Sequence, residues 1–330
     1  LLCTYWISRY KLEIHDIVFE QTDLTTKEYV INVDVTNIAP TGEIHLIKTD
    51  KDSEELLSGV IYQLTTKEDI YSLDGHNTLI YEAGQTVSID ISENGYYMTN
   101  ELGEINISNL PLGKYQLKEI APLEGYYTDK TEYEIDLSYD HSDKIIYTKT
   151  LNVTNTKSTV EISKVDATSS KELAGAHLSL YDKDNNLIEK WISTDEPHII
   201  RGLKINEEYR LHEDLAPLGY ATASDITFTV TDDTVTKVTM EDEITKIDIS
   251  KVDATTGEEI EGAKLTVTDK ETGEVIDSWI SVKEPHRITG LVVGKTYILH
   301  EESAPQGYLV ASDVEFTVLD SGEVQKVVMK

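Results

Sequence analysis

Three glutamates close the same alternation in this 330-residue chain: Tyr115, Leu117, Glu119; Tyr209, Leu211, Glu213; and Tyr297, Leu299, Glu301. Period two marks a strand, so each glutamate shares the inward phase of its tyrosine and leucine. An ionised carboxylate in a core is costly unless it is paired or protonated, and each of these needs a partner. The alternations Ile44, Leu46, Lys48; Val160, Ile162, Lys164; and Ile247, Ile249, Lys251 supply a lysine in the same phase. Leu151, Val153, Asn155 and Val238, Met240, Asp242 supply a carboxamide and a carboxylate. Two full sets result: Lys48, Glu119, Asn155, then Lys164, Glu213, Asp242.

Two readings of such a set stand side by side. In one, three polar groups satisfy each other in a core as a buried ion pair or hydrogen-bonded triad without chemistry. In the other they react. Burial lowers a lysine pKa and raises that of a glutamate, so a neutral amine can attack while a protonated glutamate polarises the acceptor carbonyl and shuttles the proton. The product is an intramolecular amide, an isopeptide bond, with ammonia leaving Asn155 and water leaving Asp242. Side-by-side confinement in a dry core supplies the proximity that this slow amidation requires. Aligning Met329 with Met240 places a third acceptor just after Lys330, so Lys251 and Glu301 are expected to stand without one in these residues. Asn37 has the character of an acceptor for an upstream domain whose lysine is not identifiable.

The elements that must position these groups are short. Runs rich in valine, isoleucine, threonine and tyrosine alternate with turn signals such as Asp74-Gly75, Ala83-Gly84, Asn94-Gly95, Asp184-Asn185-Asn186 and Glu271-Thr272-Gly273. No long amphipathic helix interrupts them, which predicts an all-β architecture of tandem sandwiches. The repeats divide the chain into an enlarged first unit at 41–157, near duplicates at 158–244 and 245–330, and residues 1–40 as the tail of a preceding β-domain. The start at Leu1, without a complete signal peptide, reads as a fragment.

A net charge of -32 with 39 % apolar residues argues for a folded chain that repels nucleic acid and anionic membrane. No run of 18 apolar residues is present, so no span is expected. The single cysteine, Cys3, lies outside the repeats and cannot staple them. No nucleotide-binding glycine pattern or serine-hydrolase elbow is found, and no cofactor or metal is expected. His198 and His286, like His212 and His300, read as strand surface rather than metal ligands. Asp182 to Asn186 reads as a hairpin turn rather than a calcium loop. Trp191 and Trp279 read as residues packed in or against the sandwich.

The L-x-E-x-x-A-P-x-G-Y block at Leu211 to Tyr220 and Leu299 to Tyr308, the opening I-x-K-x-D and the closing V-T-N or M-E-D resemble the collagen-adhesin B-type repeats, also described as SpaA-like or prealbumin-like, of Gram-positive surface adhesins and pilins. The resemblance covers roughly residues 41 to 330. The first unit departs from it, with one residue fewer between Glu119 and Ala121-Pro122 and one more before Gly125-Tyr126. It implies an inverse immunoglobulin-like sandwich whose first and last strands are joined by the self-formed amide, with Glu119, Glu213 and Glu301 as proton shuttles. It also implies an extracellular stalk on a bacterial cell wall or pilus, self-crosslinking in a single turnover rather than acting as an enzyme. Attachment by sortase would require a signal outside these residues. The alternative is a host-matrix-binding module, for a partner such as collagen, centred on the enlarged first unit. A glycan-processing enzyme using these repeats as spacers would need a catalytic domain elsewhere.

Overall fold

The computed structural model describes residues 11–12, 37–73, 76–89, 95–142, 144–232 and 234–330, of which 11–12 and 37–38 are described by their backbone alone. All regular elements among these residues are strands, and no helix is long and apolar enough to cross a membrane. The expected tandem all-β sandwiches are what the chain forms. Two compact units divide it, Leu1–Lys157 and Ser158–Lys330. Lys11–Leu12 pairs antiparallel with Asn37–Ile38. The Asp74-Gly75 turn, Asn94 and the side chain of Asn37 lie outside the described residues; Ala83-Gly84 forms a turn with Gly84 at φ 79°.

In the first unit a three-stranded sheet holds Thr41–Asp50 between Ile146–Asn155 and Glu104–Leu110. The other sheet runs Glu132–Asp136, Lys114–Ala121, Ile61–Thr66, Tyr96–Met98. Thr41–Asp50 and Ile146–Asn155 are parallel, with Lys48 opposite Val153 and Asp50 opposite Asn155. Parallel neighbours need a long connection, and here the rest of the sandwich is that connection. Ile44 and Leu46 from one sheet meet Leu64 and Leu117 from the other in a single core. The enlargement includes an extra antiparallel pair, Ile70–Tyr71 with Leu79–Tyr81.

The second unit contains two smaller cores, one around Val160, Leu178 and Leu211 and one around Ile247, Leu265 and Leu299. Each lies between a three-stranded and a four-stranded sheet. Thr159–Asp166 is parallel to Thr236–Asp242, and Lys246–Lys251 to Val324–Met329. The hairpin expected at Asp182 to Asn186 joins His177–Asp182 to Leu187–Ile192, with the Asp182 side chain accepting from the Asp184 and Asn186 amides at 2.9 and 2.8 Å. Asn185 takes the left-handed φ of 62° that asparagine tolerates in such a turn.

Candidate functional site

The alternation carries through to burial. Tyr115, Leu117 and Glu119 are the buried positions of Lys114–Ala121, and Glu208–Leu215 and Thr296–Ser303 repeat the pattern. Lys48, Glu119, Asn155, Lys164, Glu213, Asp242, Lys251 and Glu301 are each no more than 4 % exposed. Lysine and acceptor come from adjacent parallel strands of the three-stranded sheet. The glutamate comes from the four-stranded sheet facing it, so the three groups meet between the layers.

At the first site, Lys48 Nζ lies 2.8 Å from Glu119 Oε2 and donates to the Thr154 carbonyl at 3.2 Å. Asn155 Nδ2 donates to Glu119 Oε1 at 2.9 Å, so the glutamate bridges amine and carboxamide. Burial pushes the Lys48 ammonium below its ordinary pKa, against the opposing pull of Glu119. Asn155 Oδ1 is buried without a hydrogen-bond partner. The expected polarisation of the acceptor carbonyl by glutamate is therefore not the contact observed; the glutamate sits on the amide nitrogen. A half-turn of the amide would present Oδ1 instead, a contact that requires a proton on Glu119.

At the second site Lys164 Nζ contacts Asp242 Oδ1 directly and lies 3.0 Å from Glu213 Oε1. That oxygen nonetheless has no hydrogen-bond partner, so the lysine is close but off its bonding direction, and Asp242 Oδ2 is likewise unpartnered. Burial pushes the Asp242 carboxyl up to about 7, with Lys164 opposing. At the third site Lys251 Nζ is 3.3 Å from Glu301 Oε2. Lys251 pairs with Met329 in the register that pairs Lys164 with Met240.

Sequence reasoning passed over three contributors. The Tyr62 hydroxyl donates to Glu119 Oε2 at 3.1 Å and the Asp129 amide to Oε1 at 3.2 Å. Tyr62 carried no repeat signal, because its counterparts Leu178 and Leu265 are apolar. The third is a bond from the last tyrosine of each block to the aspartate two residues past each lysine: Tyr126 to Asp50 at 2.8 Å, Tyr220 to Asp166 and Tyr308 to Asp253 at 3.0 Å. Both partners were visible in the repeats, but their pairing was not. The histidines set aside pair with acids: His198 with Glu189, His286 with Asp277, His212 with Asp225 and His300 with Asp313. Trp191 and Trp279 stack on His198 and His286 and pack against their cores.

The SpaA family model, described as a prealbumin-like fold domain, matches residues 42–152, 158–244 and 245–330. No curated protein matches the sequence. Among solved structures the chain is similar to the Bacillus anthracis TIE protein at 21 % identity and TM-score 0.45, over 90 % of this chain and 52 % of that one. It thus spans about half the length of that protein. A streptococcal ancillary pilin gives 18 % identity and TM-score 0.35, covering 88 % and 98 % of the two chains. The major pilin SpaD of Corynebacterium diphtheriae gives 13 % and 0.37, covering 91 % and 98 %.

Proposed function

We propose, for a chain that belongs to the SpaA family of prealbumin-like fold domains, that it is a stalk or shaft segment of a cell-surface adhesin or pilin-like protein whose domains lock themselves with Lys–Asn and Lys–Asp isopeptide bonds. The observation that supports this reading is the convergence, in two sandwiches, of a buried lysine, glutamate and carboxamide or carboxylate on strands that begin and end the domain. Lys48 Nζ attacks Asn155 Cγ; the Nζ–Cγ bond forms, the Cγ–Nδ2 bond breaks, and ammonia leaves. Lys164 attacks Asp242 Cγ and water leaves. Glu119 and Glu213 take protons from the amines and hand them to the departing groups. Each site reacts once, so the chain is its own substrate and not an enzyme with turnover. An extracellular location, with covalent attachment to a wall or pilus by sortase through other parts of the protein, belongs to the same reading.

Intact-mass measurement of the folded chain tests it. The chain is expected to be lighter than its sequence by one ammonia and one water, with Glu119→Ala restoring the first and Glu213→Ala the second. A full-weight wild-type chain would leave only the buried triads.

A second reading, binding of a host matrix protein such as collagen through the first unit, is favoured by its exposed Tyr71, Leu79, Ile80, Tyr96 and Met98. Solid-phase binding by residues 41–157 and not by 158–330 would support it.

A further inference from the structure

The first site differs from the others at the position facing its glutamate. Tyr62 lies directly across from Glu119 on the neighbouring strand, where Leu178 faces Glu213 and Leu265 faces Glu301. Tyr62 is fully buried, and its ring centroid is 5.6 Å from Lys48 Nζ. Its hydroxyl and Lys48 share Glu119 Oε2, while Asn155 Nδ2 and the Asp129 amide share Oε1. Four donors hold that carboxylate. Glu213 and Glu301 each have two such neighbours, a backbone amide on Oε2, from Ala223 and Ala311 at 2.6 Å, and their lysine, 3.0 Å from Glu213 Oε1 and 3.3 Å from Glu301 Oε2; their Oε1 atoms lack a hydrogen bond.

The acceptor differs at the same site: Asn155 in place of Asp242. Either leaving group needs one proton more than it holds, and the lysine is its source. At the second site Lys164 touches the Asp242 carboxyl and can pass protons to it directly, whereas at the first site the Asn155 nitrogen is joined to Lys48 through Glu119. Lys48 must first pass a proton to Glu119 to become nucleophilic. As the Nζ–Cγ bond forms, the amine sheds a second proton and Nδ2 gains one through the same carboxyl group. Nζ, Glu119 and Nδ2 must therefore stay aligned throughout.

We propose that Tyr62 is a positioning residue that fits the first site to a carboxamide acceptor, holding Glu119 with one oxygen on Lys48 and the other on Asn155 Nδ2. The proposal rests on the bond-forming reading above. Burial and the charge of Glu119 keep the Tyr62 phenol protonated, so it orients the shuttle without entering the proton transfer.

The full chain made by cell-free synthesis and sampled over time allows a test. Peptide mass spectrometry then reads ammonia or water loss at the first site, with water loss at Asp242 in the same molecules as the internal clock. Tyr62→Phe is expected to slow ammonia loss about ten-fold or more against that clock. Asn155→Asp should lose water at the same pace with or without the Tyr62→Phe change. As a gain-of-function arm independent of how Tyr62→Phe folds, Asp242→Asn should react slowly, and adding Leu178→Tyr should accelerate its ammonia loss. The proposal is overturned if Tyr62→Phe reacts at the wild-type pace, if it slows the first site equally in the wild-type and Asn155→Asp backgrounds, or if Leu178→Tyr has no effect. A wild-type chain that loses no ammonia overturns the bond-forming reading itself, an outcome separate from any comparison of variants.

Discussion

Asp50 stands two residues past Lys48 on the same face of the first strand, and its carboxylate is buried. Oδ1 accepts from the Ser53 and Asp52 amides, each at 2.8 Å, and Oδ2 from Tyr126, with Lys157 at 3.5 Å. The Ser53 amide above all, against the cost of burial and with help from Tyr126, Asp52 and Lys157, holds this carboxyl well below the usual range. A depressed pKa means that the unfolded chain takes up the proton first. Its contribution to stability is complete at neutral pH and is lost as pH falls below about 4. Denaturation across an acid pH series should show this loss, and Asp50→Asn should flatten it. Removing one hydroxyl by Tyr126→Phe should cost about 1 kcal/mol in a Glu119→Ala background, where no bond masks the effect.

At the scale of elements, strand phase decides which groups can meet. A side-chain period of two puts Lys164 inside only because Val160 and Ile162 are inside, and a one-residue slip would turn all three to solvent. Leu211 anchors the phase of Glu213: it is fully buried and lies across from Leu180 on the adjacent strand. Leu211→Ala in a Glu213→Ala background should cost about 2–5 kcal/mol by urea unfolding, as expected for a truncated core leucine. A loss within about 0.5 kcal/mol, the range of surface substitutions, would mean that Leu211 does not carry the strand.

At the scale of the molecule, the parallel pairing of first and last strands determines what a crosslink would do. Force entering through Thr41–Asp50 and leaving through Ile146–Asn155 would pass across the amide and bypass everything between Lys48 and Asn155. Single-molecule pulling should extend the wild-type chain without releasing that segment. Glu119→Ala should release roughly 350 Å of hidden length, at about 3.4 Å per residue. The closed loop, on the order of a hundred residues, should also add about 5 kcal/mol by restricting the unfolded chain.

The sequence alone determined the all-β class, the repeats and the inward phase of Lys48, Lys164, Lys251, Glu119, Glu213, Glu301, Asn155 and Asp242, because a period-two pattern is local and the chain repeats it. It also carried Asp50 and Tyr126, each at a repeated position. Only the tertiary structure decided that Lys48 and Asn155 come from one sheet and Glu119 from the other, that Glu119 sits on the amide nitrogen rather than the carbonyl, and that Tyr62 shares its oxygen with Lys48. Those facts depend on the register between strands far apart in the chain. At Tyr62, where the other copies have leucine, the repeats offered no pattern from which a hydroxyl aimed at the site could be read.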